Sequence, residues 1–155
     1  MADSINHTDD IIDVRDVIAR VEELRNERDT LDTALEEADE ALDGTLELAD
    51  AKHDAQTALD EWNLDNSEEL EELESLLDDL KGYGGDEQWE GSWYPVTLIR
   101  ESHFEDYAQQ LATDIGAIDE SSSWPNNCID WERAARELKM DYSEVEFKGV
   151  TFFYR

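Results

Sequence analysis

The chain has 155 residues, with 43 Asp and Glu against 12 Lys and Arg and a formal net charge of −31. That excess of carboxylate argues against direct binding of nucleic acid, which needs cations to meet its phosphates, and against an anionic membrane surface. No apolar run reaches the ~18 residues of a membrane span, the N-terminus MADSINHTDD lacks the apolar stretch of a secretory signal, and a single cysteine, Cys128, allows no internal disulfide, so a cytoplasmic location is expected.

The acid is unevenly placed. Residues 1–90 hold 31 acidic and 6 basic side chains, and residues 91–155 hold 12 and 6. The aromatics run the other way: Trp62, Tyr83 and Trp89 precede residue 91 and the other 11 follow it. Composition therefore predicts an acidic arm and an aromatic-rich unit able to build a core.

Residues 1–8 read as a flexible N-terminus and 9–81 as an acidic helical arm. Apolar residues recur in steps of three and four at Ile11, Val14, Ile18, Val21 and Leu24, then past Arg28 at Leu31, Leu35, Ala38 and Leu42. This is the seam of a coiled coil. Its phase changes near Asp43–Thr45, after which Leu48, Ala51, Ala55, Ala58 and Trp62 fit best. Gly44 allows two readings: a glycine tolerated inside one long helix at a cost of about 1 kcal/mol, or the C′ glycine of a helical hairpin with Thr45 capping the next helix. A reversal over one or two residues is tight for helices, which favours one continuous helix over residues 9–62. A break is expected at NLDNS, 63–67, where Asp65 and Glu68 can form a capping box. A second helix, 66–81, would then carry Leu70, Leu73, Leu76, Leu77 and Leu80 on one face and fold back on the first.

GYGGDEQWEGS, 82–92, reads as a glycine-rich linker. Residues 93–155 read as a small α+β domain of β-α-α-β-β order. YPVTLIR is strand-like. SHFE can cap a helix whose face holds Phe104, Tyr107, Ala108, Leu111 and Ile115, with Gly116 ending it. Asp130 can cap another helix carrying Trp131, Ala134, Ala135 and Leu138. EVEFKGVTFFYR reads as a hairpin turning on Lys148–Gly149, with Val145, Phe147, Val150, Phe152 and Tyr154 on one face. The predicted fold class is α+β: a long acidic helix with a shorter antiparallel helix forming a coiled-coil-like arm, then the small mixed unit.

No catalytic constellation emerges, and neither a cofactor nor a resident metal is expected. Asp50, His53 and Asp54 share a helical turn, but nothing else converges there, so a solvated histidine is the simpler reading. Cys128 and His103 lie 25 positions apart with no supporting motif, so Cys128 is expected to be a buried structural cysteine. The aromatics Trp93, Tyr94, Trp124 and Trp131 are expected in the core, where a small domain needs their area. Arg133, Arg136 and Lys139 share one side of the last helix, too few for a nucleic-acid site but able to meet the acidic arm or a partner.

The arm itself points to a function. Residues 9–62 carry 19 acidic side chains; as a helix of roughly 80 Å that is one charge per roughly 4 Å, against one per about 3.4 Å for a DNA strand. A pair of such helices would reach about one per 2 Å, near the 1.7 Å of a duplex. The rod can therefore imitate nucleic acid toward a host DNA-binding protein or nuclease complex. The carboxylates expected to meet such a partner are Asp29, Asp32, Glu36, Glu37, Asp39, Glu40, Asp43, Glu47, Asp50, Asp54, Glu68, Glu69, Glu71 and Glu72. The alternative is a coiled-coil adaptor with an α+β recognition head, forming a homodimer through the arm, its acidity reflecting salt adaptation and its lysines only Lys52, Lys81, Lys139 and Lys148.

TLIR at 97–100, FEDYA at 104–108, DIGAI at 114–118, CIDWE at 128–132 and GVTFFYR at 149–155 carry a resemblance. Residues 93–155 resemble a family of small acidic proteins of bacteriophages and prophages, mostly uncharacterised, some labelled antirestriction. The arm matches more loosely. The resemblance implies a phage product acting in a host cytoplasm against restriction or CRISPR nucleases; it assigns no residue a role.

Overall fold

The computed structural model describes residues 4–41, 43–119 and 121–155. A short strand β1, Ile11–Asp13, leads directly into helix α1, Val14–Glu40, which is followed by the longer helix α2, Leu46–Leu80. A hairpin of β2, Asp86–Trp89, and β3, Ser92–Tyr94, comes next, then strand β4, Thr97–Arg100. Helices α3, Phe104–Asp114, and α4, Trp131–Leu138, precede the terminal strands β5, Ser143–Phe147, and β6, Val150–Tyr154. The class is α+β, with two long helices and a small antiparallel sheet of order β1-β4-β6-β5.

Three expectations about the arm are corrected. The continuous helix over 9–62 is instead a strand and a helical hairpin. Gly44 sits at φ +89°, a left-handed backbone that glycine adopts without a Cβ clash. Thr45 caps α2 by accepting from the Leu48 N–H at 3.4 Å, and Asp43 accepts from the Thr45 N–H at 2.9 Å. The expected break at 63–67 is absent, because α2 runs through it. Ser67 turns its hydroxyl back to the Asn63 carbonyl and Asn66 its amide to the Trp62 carbonyl, bonds made within the helix rather than at a cap. Ile11 lies outside the helical seam: it is on β1, half exposed, and pairs with Ile99 of β4.

Among the described residues the remaining seam is filled within the chain; Leu42, the last position expected in it, lies outside them. Val14, Val17, Ile18, Val21 and Leu24 of α1 are buried against Trp62, Leu70, Leu73, Leu76, Leu77 and Leu80 of α2. On α2 the buried phase is Leu59 and Trp62, with Leu48 and Ala55 half-buried, while Ala51 and Ala58 are exposed. The same core takes in Ile12, Tyr94, Leu98, Val145, Phe147, Phe152 and Tyr154. The root of the hairpin therefore packs on one face of the sheet, and the boundary between arm and mixed unit runs through a shared core. A fully buried leucine contributes about 1.5–3 kcal/mol, so the leucine face of α2 is a major source of stability.

The stretch 82–92 is not a linker: most of it enters the β2–β3 hairpin, Asp86 to Tyr94. Trp89 donates its indole N–H to Glu22 at 2.9 Å, and the Arg25 guanidinium lies 4.8 Å from the Trp89 ring centroid, so this hairpin is clamped to α1. The sheet is built from both ends of the chain, so the order is not a self-contained β-α-α-β-β unit. A second, smaller core of Ile99, Phe104, Ala108, Ala135 and Phe153 lies on the opposite face. α3 begins after a 3-10 turn, Glu101–His103, without a side-chain cap, and Ile115 is exposed beyond its end. α4 is capped as expected, Asp130 accepting from the Arg133 N–H at 3.1 Å. Lys148 and Gly149 have φ +50° and +76°, as a type I′ hairpin turn requires.

The continuity of α2 is testable at Leu64, whose side chain is 86 % exposed. Leu64→Ala should change stability by less than about 0.5 kcal/mol. Leu64→Pro should cost about 3 kcal/mol or more in urea unfolding, because it removes an interior helical hydrogen bond; a neutral proline would place a break there after all.

Candidate functional site

The distal half of the helical hairpin is where charge collects. α1 and α2 run antiparallel: Glu27 accepts the Trp62 indole N–H at 2.9 Å near the root, and Asp39 pairs with Lys52 at 2.5 Å near the turn. Beyond Arg25, which still reaches Trp89, the packing of α1 among the described residues is chiefly on α2. This segment, Glu27 to Trp62, carries 13 acidic and 2 basic side chains. The α1 portion is about 21 Å long and the α2 portion about 25 Å, so the pair presents a carboxylate about every 2 Å of axis. One chain thus reaches by itself the linear charge density that the sequence assigns to two paired rods, close to that of duplex DNA.

The expected partner-binding carboxylates separate into two groups. Asp29, Asp32, Glu36, Glu37, Glu40, Asp43, Glu47, Asp50 and Asp54 are exposed on the distal hairpin, and Asp39 joins them while holding Lys52. Glu68, Glu69, Glu71 and Glu72 lie near the root instead. Glu69 is committed to Arg20, at 2.8 and 3.0 Å, and Glu72 to Lys148 at 3.0 Å. Two of these four are therefore engaged inside the fold, and all four lie apart from the distal cluster because α2 continues unbroken past residue 63.

Most arm cations serve the root. Arg20 is mostly covered, bridges Glu23 at 2.7 Å and Glu69, and is held more firmly charged by its Glu69 hydrogen bond. Arg25 binds Glu74 at 2.6 Å and Arg15 binds Asp13 at 2.6 Å. Arg28, at the seam, is half-buried. Only Lys52 reaches a distal carboxylate in an ion pair among the described residues. The Asp43 carboxyl is held below its ordinary 3.8 chiefly by the Thr45 N–H. Folding therefore favours its ionised form; that contribution is present above the ordinary value and lost as pH falls through the lowered one.

Other sequence candidates land differently. Cys128 is exposed, not buried, and offers its thiol to Asn127 at 3.4 Å. His53 is exposed, and among the described residues no three metal-ligating side chains converge. His103 faces Asp10 at 3.7 Å and Asp106 at 3.9 Å. Of the aromatics expected in the core, Tyr94 is buried and Trp131 half-buried, while Trp93 and Trp124 are 52 % and 75 % exposed. Arg133 and Arg136 pair within α4, with Glu137 and Glu132. Lys139 lies 3.9 Å from Glu101 and 4.9 Å from the Phe153 ring centroid; among the described residues none of the three pairs with the arm. No described helix is long and apolar enough to cross a membrane.

Comparison of the chain with protein-family models, with curated proteins and with solved structures finds no match.

Two outcomes follow from this charge layout. Arg20→Met should destabilise the protein by about 1–3 kcal/mol in denaturant unfolding, less than for a fully buried pair because Arg20 and its partners keep some solvent. Raising salt from about 0.05 to 0.5 M should raise Tm by roughly 2–8 °C as distal repulsion is screened; a lower Tm would mean that net attraction, not repulsion, governs the hairpin.

Proposed function

We propose that this is a phage-encoded anti-defence protein whose acidic hairpin stands in for DNA in the basic groove of a host restriction or CRISPR nuclease complex. The observation that carries this is the distal hairpin: carboxylates every ~2 Å on a rod about 10–12 Å wide per helix, with one cation paired among them. A groove evolved to neutralise one phosphate per ~1.7 Å would be met by charge of similar density on a rigid support. Rigidity adds to this, because carboxylates held on helices lose less freedom on binding than those of a disordered tail. The protein acts by occupying the groove, not by chemistry, and does so in the host cytoplasm.

Intrachain pairing of the seam favours this reading over a coiled-coil adaptor. Where α1 would need a partner helix, α2 already buries its face, so little seam remains for assembly.

The test is a pull-down from host lysate followed by competition. A DNA-binding complex should be retained, released at moderate salt and displaced by duplex DNA. Changing Asp32, Glu36, Glu40 and Glu47 to Lys leaves the Asp39–Lys52 pair intact; it should weaken capture on the order of 10²-fold, largely through association rate. Unchanged inhibition of the captured nuclease by this variant would overturn the mimicry.

A further inference from the structure

The outer edge of the sheet offers a second, separate surface. β5 is a terminal strand of the sheet. Phe147 lies opposite Val150, Val145 opposite Phe152 and Ser143 opposite Tyr154, across the two-residue turn at Lys148–Gly149. In such a hairpin the residues flanking the turn exchange both backbone hydrogen bonds, and bonded and non-bonded positions then alternate. Phe147, Val145 and Ser143 therefore commit their N–H and C=O groups to β6. Those of Glu144 and Glu146 point away from the sheet, an unpaired row that can template one more strand.

Helix α2 runs beside this edge. Between them lies an open groove of about 430 Å³, walled by Glu71, Glu72, Leu76 and Asp79 of α2 and by Glu146 and Phe147 of β5. A groove between a free strand edge and a helix is the geometry in which extended peptides dock by strand addition. Its charge selects the occupant. Among the described residues no cation of the chain pairs with Glu71, Asp79 or Glu146, whereas the Lys148 ammonium, 3.0 Å from Glu72 and 5.6 Å from the Phe147 ring centroid, shows an ammonium held here by carboxylate and ring together. A second copy adding through its own β5 would set Glu144 and Glu146 against each other, and like charges across a strand pair are destabilising.

We propose that the β5 edge and the α2 groove bind an extended basic segment of a partner protein as an added strand, its alternate Lys or Arg side chains on the α2 face meeting Glu71 and Asp79. This site lies at the root of the hairpin, away from the distal carboxylates, and does not depend on their role.

The experiment uses the full chain and a six-residue peptide alternating Lys with Val, with a second peptide N-methylated at alternate amides as control. Binding is read by calorimetry and by amide hydrogen exchange. The plain peptide should slow exchange at Glu144 and Glu146 at least tenfold, and the N-methylated peptide of equal charge should bind at least tenfold more weakly. Glu71→Gln and Asp79→Asn together should cost a similar factor, while the distal Lys variant described above binds normally. Equal binding of both peptides, protection confined to the distal hairpin, or a dimer in sedimentation whose β5 amides are protected without peptide would each overturn the proposal.

Discussion

Like charge repels, and everything in this molecule depends on where that repulsion is opposed. Thirteen carboxylates crowd the distal hairpin with two cations among them. Near the turn, among the described residues, one ion pair, Asp39–Lys52, opposes that repulsion. The main opposing force lies at the other end, where Val14 to Leu24 and Leu70 to Leu80 are sealed against Leu98, Phe152 and Tyr154. Apolar burial there is indifferent to ionic strength, whereas the repulsion beyond it is screened by salt. The hairpin is therefore anchored at its root and carries its surplus charge toward its turn. Leu59 and Trp62 on α2, with half-buried Leu31 and Leu35 on α1, carry the pairing part of the way out.

Cation placement follows the same logic. An arginine in the distal region would relieve repulsion but dilute the charge. At the root it does more, because carboxylates there are partly desolvated and need partners. Arg20 and Arg25 tie α1 to Glu69 and Glu74, and Arg25 also covers the face of Trp89. The clamp of the separate β2–β3 hairpin onto α1 runs through the Arg25 guanidinium and the Trp89 indole, beside the apolar core that joins the helices to the four-stranded sheet. Charge density at one end and order at the other are thus two sides of a single allocation of very few cations.

Much of the local structure was legible from residues alone. The seam of α1, the leucine face of α2, the Asp130 cap and the Lys148–Gly149 turn each rest on short-range spacing or on one residue's backbone preference. The departures share a different cause. Asp65 and Glu68 look like a capping box, yet a cap is worth about 1 kcal/mol, and leucines on both sides of it, buried against α1 and the sheet, outweigh that. Gly44 was ambiguous because its cost inside a helix and its advantage at a turn are similar in size; packing of Trp62 back beside Glu27 decided between them. Ile11 and Ile12 read as helix because their neighbours do. They form a strand because β4 offers an edge some 85 positions later in the chain, with Ile12 opposite Leu98.

The sequence by itself determined the helical preference of the arm, the surplus of carboxylate along it and the apolar stripe that must be covered, since all three depend on composition and on period. The tertiary structure alone decided what covers the stripe. By folding the arm on itself it doubled the linear charge density within one chain, withdrew Glu69 and Glu72 into ion pairs with Arg20 and Lys148, and left one edge of β5 open beside a helix. These are properties of partners distant in sequence. No local pattern encodes them, because each is fixed by the balance of burial against desolvation over the whole fold.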